Sequence, residues 1–136
     1  MREILFRGKT STEWVYGDLR HLNDGRVAIR KDGEIYPYEV IPETVGEYTG
    51  LTDKNGKKIF EGDILENRAS ENKEDWKRWV VAFYDGSFCF EREIPRKHKH
   101  KHEQNLLCED EVKLYRLAVI GNIHDNPELL TEDSNG

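Results

Sequence analysis

The chain has 136 residues, which suits one ordinary domain or two very small β units. Its net charge of −6 opposes binding to nucleic-acid phosphate or to an anionic membrane unless the basic residues are segregated. Apolar runs stay far below the ~18 residues of a membrane span, and the N-terminus lacks the apolar stretch of a secretory signal. These features predict a soluble, folded protein that is neither fibrous nor transmembrane.

Turn dipeptides punctuate the chain. They occur, in chain order, at Asp24-Gly25, Asp32-Gly33, Asn55-Gly56 and Asp85-Gly86, each between stretches rich in β-branched or aromatic residues. Such dipeptides are typical of tight β-hairpins, because both central residues need positive φ. Residues 13–22, 26–30 and 34–40 are predicted to pair in succession, and 47–51 with 57–66. No stretch has a long helical period, so the predicted fold class is all-β with antiparallel hairpins.

The clearest hairpin covers residues 79–90. A turn at Asp85-Gly86 places Phe83 opposite Phe88 and Val81 opposite Phe90. Alternation then puts these four side chains on one face together with Trp79. An aromatic row of this kind can stack on nucleic-acid bases, but the prediction is that it forms the core.

The C-terminal part is predicted to contain a last strand over residues 113–123 and then one short helical turn. Asn126 suits the N-cap of that turn, and Pro127 suits its first position. Residues 131–136 are polar and are predicted to form a disordered tail.

Two irregular segments interrupt the strand pattern: residues 69–75, which form a polar loop, and residues 95–111, which have no strand pattern until Leu106. Five cations against one glutamate between Arg92 and His102 give a local charge of +4 and leave −10 for the rest of the chain. A solvated loop is the favoured interpretation. The alternative is contact with phosphates. The candidate binding residues are Arg96, Lys97, Lys99 and Lys101.

Metal and disulfide chemistry are not predicted. His98, His100 and His102 would project to one side of an extended segment, as a three-imidazole site requires, but the intervening lysines repel a divalent cation. Cys89 and Cys108 lack C-x-x-C spacing and are expected to be reduced thiols, although one disulfide between them stays geometrically open.

Catalysis is not predicted either. The candidate titratable groups are Glu13, Asp18, His21, Glu43, Glu61, Asp63 and His124. No nucleophile elbow, P-loop, G-x-G-x-x-G junction or H-E-x-x-H motif accompanies them. A site assembled from Asp63, Glu61 or His124 is the remaining enzymatic alternative, and no cofactor is expected.

Several motifs resemble the YopX family of phage and prophage proteins. They are Pro-Glu-Thr-Val-Gly-Glu-Tyr-Thr-Gly-Leu-Thr-Asp-Lys-Asn-Gly-Lys-Lys-Ile-Phe-Glu-Gly-Asp-Ile-Leu at 42–65, the opening residues 1–8, Trp-Val-Tyr-Gly at 14–17 and the closing residues 119–130. The resemblance implies an all-β protein with an SH3-like small barrel over residues 45–130. Together with the hairpins predicted above, this gives an N-terminal β-hairpin lobe (1–44) packed on the barrel and followed by the tail (131–136). The resemblance also implies a phage or prophage gene expressed in the bacterial cytoplasm, and it brings no assigned activity or catalytic residue.

Small β modules of this kind present grooves and loops rather than a deep pocket. The predicted function is therefore a non-enzymatic module that binds a protein partner or a second copy of itself, since exposed strand edges favour self-association. The alternative is a nucleic-acid-associated module that uses the basic segment 96–101.

Overall fold

The computed structural model describes residues 3–95 and 100–133, and it describes no side chains for 93–102 and 132–133. The chain divides into two compact units, Met1–Gly50 and Leu51–Gly136. Strands dominate both units, and every strand pairing given by register is antiparallel. The all-β prediction is confirmed.

The first unit is a sheet with the strand order β4-β3-β2-β1-β5. Its strands are β1 (Phe6–Lys9), β2 (Trp14–His21), β3 (Val27–Arg30), β4 (Tyr38–Val40) and β5 (Gly46–Thr52), with a 3-10 turn at Pro42–Thr44 before β5. The last two residues of β5 belong to the second unit. One face of this sheet carries the buried cluster Val15, Ile29 and Val40. This cluster is the apolar core of the first unit.

The second unit has a five-stranded sheet with the order β10-β9-β8-β7-β11, and β6 is the neighbour of β5. Its elements are β6 (Lys58–Phe60), β7 (Asp63–Glu66), β8 (Arg78–Tyr84), β9 (Ser87–Pro95), β10 (His100–Leu106), α1 (Glu109–Leu114), β11 (Ala118–Asn122) and α2 (Glu128–Asp133). A 3-10 turn at Lys73–Asp75 lies in the loop before β8. The buried core of this unit comprises Ile59, Leu65, Trp79, Val81, Phe88, Phe90, Leu107, Val112 and Leu117.

The predicted hairpin register over residues 79–90 is confirmed, with Phe83 opposite Phe88 and Val81 opposite Phe90. Asp85 and Gly86 both have positive φ (52° and 84°), as a two-residue turn requires. At the other predicted turns the glycine of the pair has positive φ and the residue before it does not. At Asp24-Gly25 and Asn55-Gly56 a three-residue loop accommodates this, whereas Asp32-Gly33 lies in a turn closed by the N–H of Glu34 and the carbonyl of Lys31, within a longer loop between β3 and β4.

One core residue was predicted wrongly. Phe83 is 52% exposed, whereas Phe88 and Phe90 on the same face are buried. Phe83 lies near the end of the hairpin, one residue pair before the Asp85-Gly86 turn, and its ring packs edge-on against Phe88 with centroids 5.0 Å apart.

The predicted strand over 113–123 is also wrong in its first half. Helix α1 occupies Glu109–Leu114, and β11 begins at Ala118. The segment predicted to have no strand pattern, residues 95–111, contains β10, which pairs with β9 along its whole length.

At the C-terminus α2 extends through Asp133, and residues 134–136 lie outside the described part. The side-chain amide of Asn126 accepts from the N–H of Asn122, so it serves the preceding turn.

The predicted domain boundaries at 44/45 and 130/131 and the SH3-like barrel stay predictions. Among the helices that the structure describes, none is long and apolar enough to cross a membrane.

Candidate functional site

The carboxylate of Asp53 is an internal hydrogen-bond acceptor of the 42–65 motif. It is 6% exposed, and its Oδ1 accepts from the N–H groups of Asn55 (2.8 Å) and Lys57 (2.9 Å). Its Oδ2 accepts from the N–H of Val119 in β11 at 2.8 Å. Asp53 therefore closes the Asn55-Gly56 turn and ties it to the last strand.

Asp63, an enzymatic candidate in the sequence, also serves the backbone. Asp63 is 2% exposed, and its carboxylate accepts from the N–H of Phe60 at 2.8 Å. Gly62 takes a φ of 92° in the same turn, and its N–H donates to the carbonyl of Val81. This carboxylate shapes the turn between β6 and β7.

The loop that carries His124 is built in the same way. The side-chain oxygen of Asn122 accepts from the N–H groups of His124 (3.0 Å) and Asp125 (2.9 Å). The side-chain oxygen of Asn126 accepts from the N–H of Asn122 at 3.2 Å, and a Cβ on Gly121 would lie 2.5 Å from that oxygen. The closing motif thus forms a compact turn from β11 into α2.

A third buried carboxylate is neutralised by arginines. Glu66 is 7% exposed and forms ion pairs with Arg68 (2.8 Å) and Arg78 (3.2 Å). The other end of the Arg78 guanidinium donates to the carbonyl of Leu129 at 2.8 Å, which attaches α2 to β8. Within residues 3–92 and 103–131 no group of three or more His, Cys, Asp or Glu side chains could hold a metal ion.

The side chains of the predicted basic site lie outside the described part of the structure. Arg96, Lys97 and Lys99 lie outside the described residues, together with His98. Lys101 lies in β10 opposite Ile94, and its side chain is not described. The strands that flank residues 96–99, β9 and β10, pair from His100↔Pro95 to Leu106↔Cys89.

A loop in the first unit exposes two large apolar side chains that belong to the predicted strand over residues 34–40. Ile35 is 83% exposed and Tyr36 is 80% exposed, beside a shallow depression lined by residues 33–38. Pro37 has no N–H to donate to a neighbouring strand, and β4 begins directly after it. Pro37 was the signal in the sequence that could have identified this loop.

Polar contacts hold this loop, residues 33–38, in place. The Arg30 guanidinium donates to the carbonyl of Glu34 at 3.0 Å and forms an ion pair with Asp18 at 2.7 Å. The Tyr38 hydroxyl donates to the Glu34 carboxylate at 2.7 Å, and this bond raises the pKa of Tyr38. The Lys31 ammonium lies 4.6 Å from the centre of the Tyr38 ring. These side chains are engaged with one another, while Ile35 and Tyr36 face solvent.

The two thiols are free, so the possible disulfide between Cys89 and Cys108 is not formed. Burial raises the pKa of the Cys89 thiol, and the nearby carboxylate of Glu91 adds to the shift. A raised thiol pKa lowers the fraction of nucleophilic thiolate at neutral pH.

The structure is that of an all-β protein in which the carboxylates of Asp53 and Asp63 accept hydrogen bonds from the backbone of their own turns. A model described as YopX protein matches residues 5–131, and the chain belongs to the YopX family. The resemblance seen in the motifs is thereby confirmed.

Two solved structures are similar over nearly the whole chain. Protein EF1440 from Enterococcus faecalis is 27% identical, with 96% of this chain and 99% of that chain covered and a TM-score of 0.60. Protein yopX from Bacillus subtilis is 20% identical, with 96% and 97% covered and a TM-score of 0.56. No curated protein matches the chain.

Proposed function

We propose that this protein is a non-enzymatic protein-binding module, encoded by a phage or prophage and acting in the bacterial cytoplasm. The binding element is the loop of residues 33–38, whose Ile35 and Tyr36 insert into an apolar recess of a protein partner. Apolar side chains presented together at a loop tip are typical of interaction sites.

The exposure of Ile35 and Tyr36 is the observation that carries this proposal. Tyr is enriched at protein interfaces because it supplies a large contact area at a small entropic cost. The contacts of Arg30, Lys31 and Tyr38 restrain the loop, and restraint of this kind lowers the entropy lost on binding.

The engagement of the motif carboxylates supports a binding role over an enzymatic one. General acid–base catalysis needs a carboxyl group within hydrogen-bond reach of a substrate proton. Asp53 and Asp63 are nearly inaccessible and accept from backbone N–H groups instead. Replacing those bonds by a substrate would open the turns that they close.

Affinity capture from phage-infected bacterial cells, after nuclease treatment, tests the proposal. The wild-type chain is compared with the double variant Ile35→Ser/Tyr36→Ser, and Leu114→Ser is the matched control because Leu114 is 64% exposed on α1 in the other unit. A partner retained by the wild type and by Leu114→Ser, but lost by the double variant, is the expected result. Equal capture by all three chains, or no captured protein together with a monomeric state by light scattering, contradicts it.

A further inference from the structure

Strand β10 is an edge strand whose outer side is unpaired. It is the outermost strand of the five-stranded sheet, and its residues pair with β9 without a register shift. No strand within the described residues 3–95 and 100–133 pairs with its other side. An edge of this kind offers a row of N–H and C=O groups to an added strand.

The opposite edge of the same sheet is protected. Strand β11 has a register shift between Val119 and Gly121. The N–H of Val119 donates to the Asp53 carboxylate at 2.8 Å, and the carbonyl of Leu117, just before the strand, accepts from the N–H of Lys54 at 3.0 Å. Bulges and occupied backbone groups are devices by which proteins prevent strand addition. They are found at β11, whereas the register of β10 is regular, so β10 is the edge of this sheet that accepts a further strand.

The register identifies the backbone groups of β10 that point outward. The N–H of Leu107 donates to the carbonyl of Phe88 at 3.0 Å, so this position faces β9. In an antiparallel pair the inward and outward positions alternate along the strand. The backbone groups of His102, Gln104 and Leu106 therefore point away from β9. No hydrogen bond between described residues engages the N–H of Gln104 or of Leu106.

Two polar side chains of β10 are directed toward β9 and away from this edge. The Gln104 side-chain amide donates to the Glu91 carboxylate at 2.9 Å. The Glu103 carboxylate forms an ion pair with the Arg92 guanidinium at 3.9 Å. Leu106 is 60% exposed at the end of the strand. The edge between Glu103 and Leu106 thus presents backbone groups and one exposed apolar side chain.

The three outward positions are symmetric about Gln104, which makes the strand complementary to a second copy of itself. A two-fold axis at Gln104 places the two Gln104 residues opposite each other, and it places Leu106 of each copy opposite His102 of the other. Each of these pairs brings outward groups of both strands together and can form two hydrogen bonds. In this register Glu103 lies opposite Asn105, whereas an axis at Glu103 would place two carboxylates opposite each other.

We propose that the β10 edge pairs with the β10 edge of a second copy of this chain, in antiparallel register about Gln104. The two five-stranded sheets then form one continuous sheet, and the neighbouring strand covers part of each exposed Leu106. A second copy is favoured over an unrelated segment because its outward groups match those of β10 in number and spacing. This interface is in the second unit and does not depend on the loop of residues 33–38.

Sedimentation velocity of the full-length chain between about 10 µM and about 1 mM tests the proposal. We expect a shift from monomer to dimer across this range, because a single added strand gives a small interface of the weak class. Amide hydrogen exchange at the two ends of the range identifies the surface. The amides of Gln104 and Leu106 should exchange more slowly at high concentration, whereas the amide of Asn105 already faces β9 and should not change.

Gln104→Pro removes two intermolecular hydrogen bonds, one from each copy, without removing a bond to β9, at a position where an edge strand tolerates proline. We expect it to raise the dissociation constant of the dimer about tenfold or more. Gln104→Thr keeps the N–H and is the matched control, which should dimerise nearly as the wild type does. If Gln104→Pro does not fold by circular dichroism, Leu106→Pro replaces it, with Leu106→Thr as its control.

Three results overturn the proposal. The first is a chain that remains monomeric at about 1 mM. The second is a dimer that is as stable in the proline variant as in the wild type, or that forms without slower exchange at Gln104 and Leu106, since another surface then makes the contact. The third is a dimer that Ile35→Ser/Tyr36→Ser dissociates and Gln104→Pro does not. The first two results leave the capture experiment on the loop of residues 33–38 unaffected.

Discussion

The Asp53 carboxylate and the Val119 N–H are joined by a 2.8 Å hydrogen bond across 66 residues of sequence. The same carboxylate closes the loop that contains Asn55 and Gly56. A local turn is thereby attached to the final strand, and the N–H of Lys54 donates to the carbonyl of Leu117 beside it. A single side chain couples the two ends of the second unit.

Replacing Asp53 with alanine should lower the free energy of unfolding by about 3 kcal/mol, because three backbone N–H groups lose their acceptor at a buried site. Urea denaturation followed by circular dichroism measures this. Asp32→Ala is the control, since Asp32 is exposed in a turn and should change stability by less than about 0.5 kcal/mol. Equal stability of Asp53→Ala and Asp32→Ala would refute the coupling.

Two phenylalanines on one face of the β8–β9 hairpin should respond very differently to truncation. Phe90→Ala removes a ring that is 1% exposed and should cost about 3–5 kcal/mol. Phe83→Ala removes a ring that is 52% exposed and should cost about 1 kcal/mol, mainly its edge contact with Phe88. Urea denaturation gives both losses in the free energy of unfolding from the shift of the midpoint, provided that the dependence on urea concentration is unchanged. Similar losses would mean that Phe83 belongs to the core after all.

Gly17→Ala should destabilise the first unit by about 2 kcal/mol or more. An added Cβ would lie 2.0 Å from the carbonyl oxygen of Arg30 on the paired strand, so the backbone must shift. Gly25→Ala is the comparison: its surroundings are open, and only its φ of 91° costs about 1–2 kcal/mol. Thermal and urea unfolding should rank Gly17→Ala as the less stable variant, and the reverse order would contradict the close strand approach.

The Cys89 thiol should make stability fall at alkaline pH. Its pKa is raised in the folded state, so the folded chain holds the proton to a higher pH than the unfolded chain does. The resulting stabilisation is complete below about pH 8.5, the ordinary thiol pKa, and is lost as the pH rises through the folded-state value. Urea unfolding between about pH 7 and 9.5 under reducing conditions should show this slope.

Two cysteine variants isolate that slope. Cys89→Ala should unfold with a weaker dependence on alkaline pH, whatever its stability at pH 7. Cys108→Ala keeps the Cys89 thiol and should keep the wild-type dependence. A slope that is unchanged in Cys89→Ala would assign the effect to other groups.

Local turn chemistry is the part of this fold that the sequence predicts well. The register of the hairpin around Asp85-Gly86 follows from a two-residue turn and from alternation, with no tertiary information. Helix α1 was missed because Val112 and Leu114 alternate like strand residues, and six residues are too few for a helical period to emerge. Strand β10 was missed because an edge strand needs no apolar alternation, and its charges are accommodated there.

The candidate surfaces depend on tertiary information to a greater extent. The Asn55-Gly56 turn is visible in the sequence, but the N–H of Val119 as a partner of Asp53 is not, because no local pattern connects residues so far apart. Likewise, the exposure of Ile35 and Tyr36 depends on where β4 begins. The sequence contains Pro37, yet the burial of a neighbouring Ile or Tyr depends on what packs against it.

The acids and amides of the closing and central motifs are bound to the backbone of their own turns, as at Asp53, Asp63 and Asn122. A family resemblance that rests on these positions therefore indicates a shared fold and does not identify a shared function. The exposed loop of residues 33–38 takes no part in these bonds, so its sequence can change among descendants of such a chain while the inherited framework is kept intact.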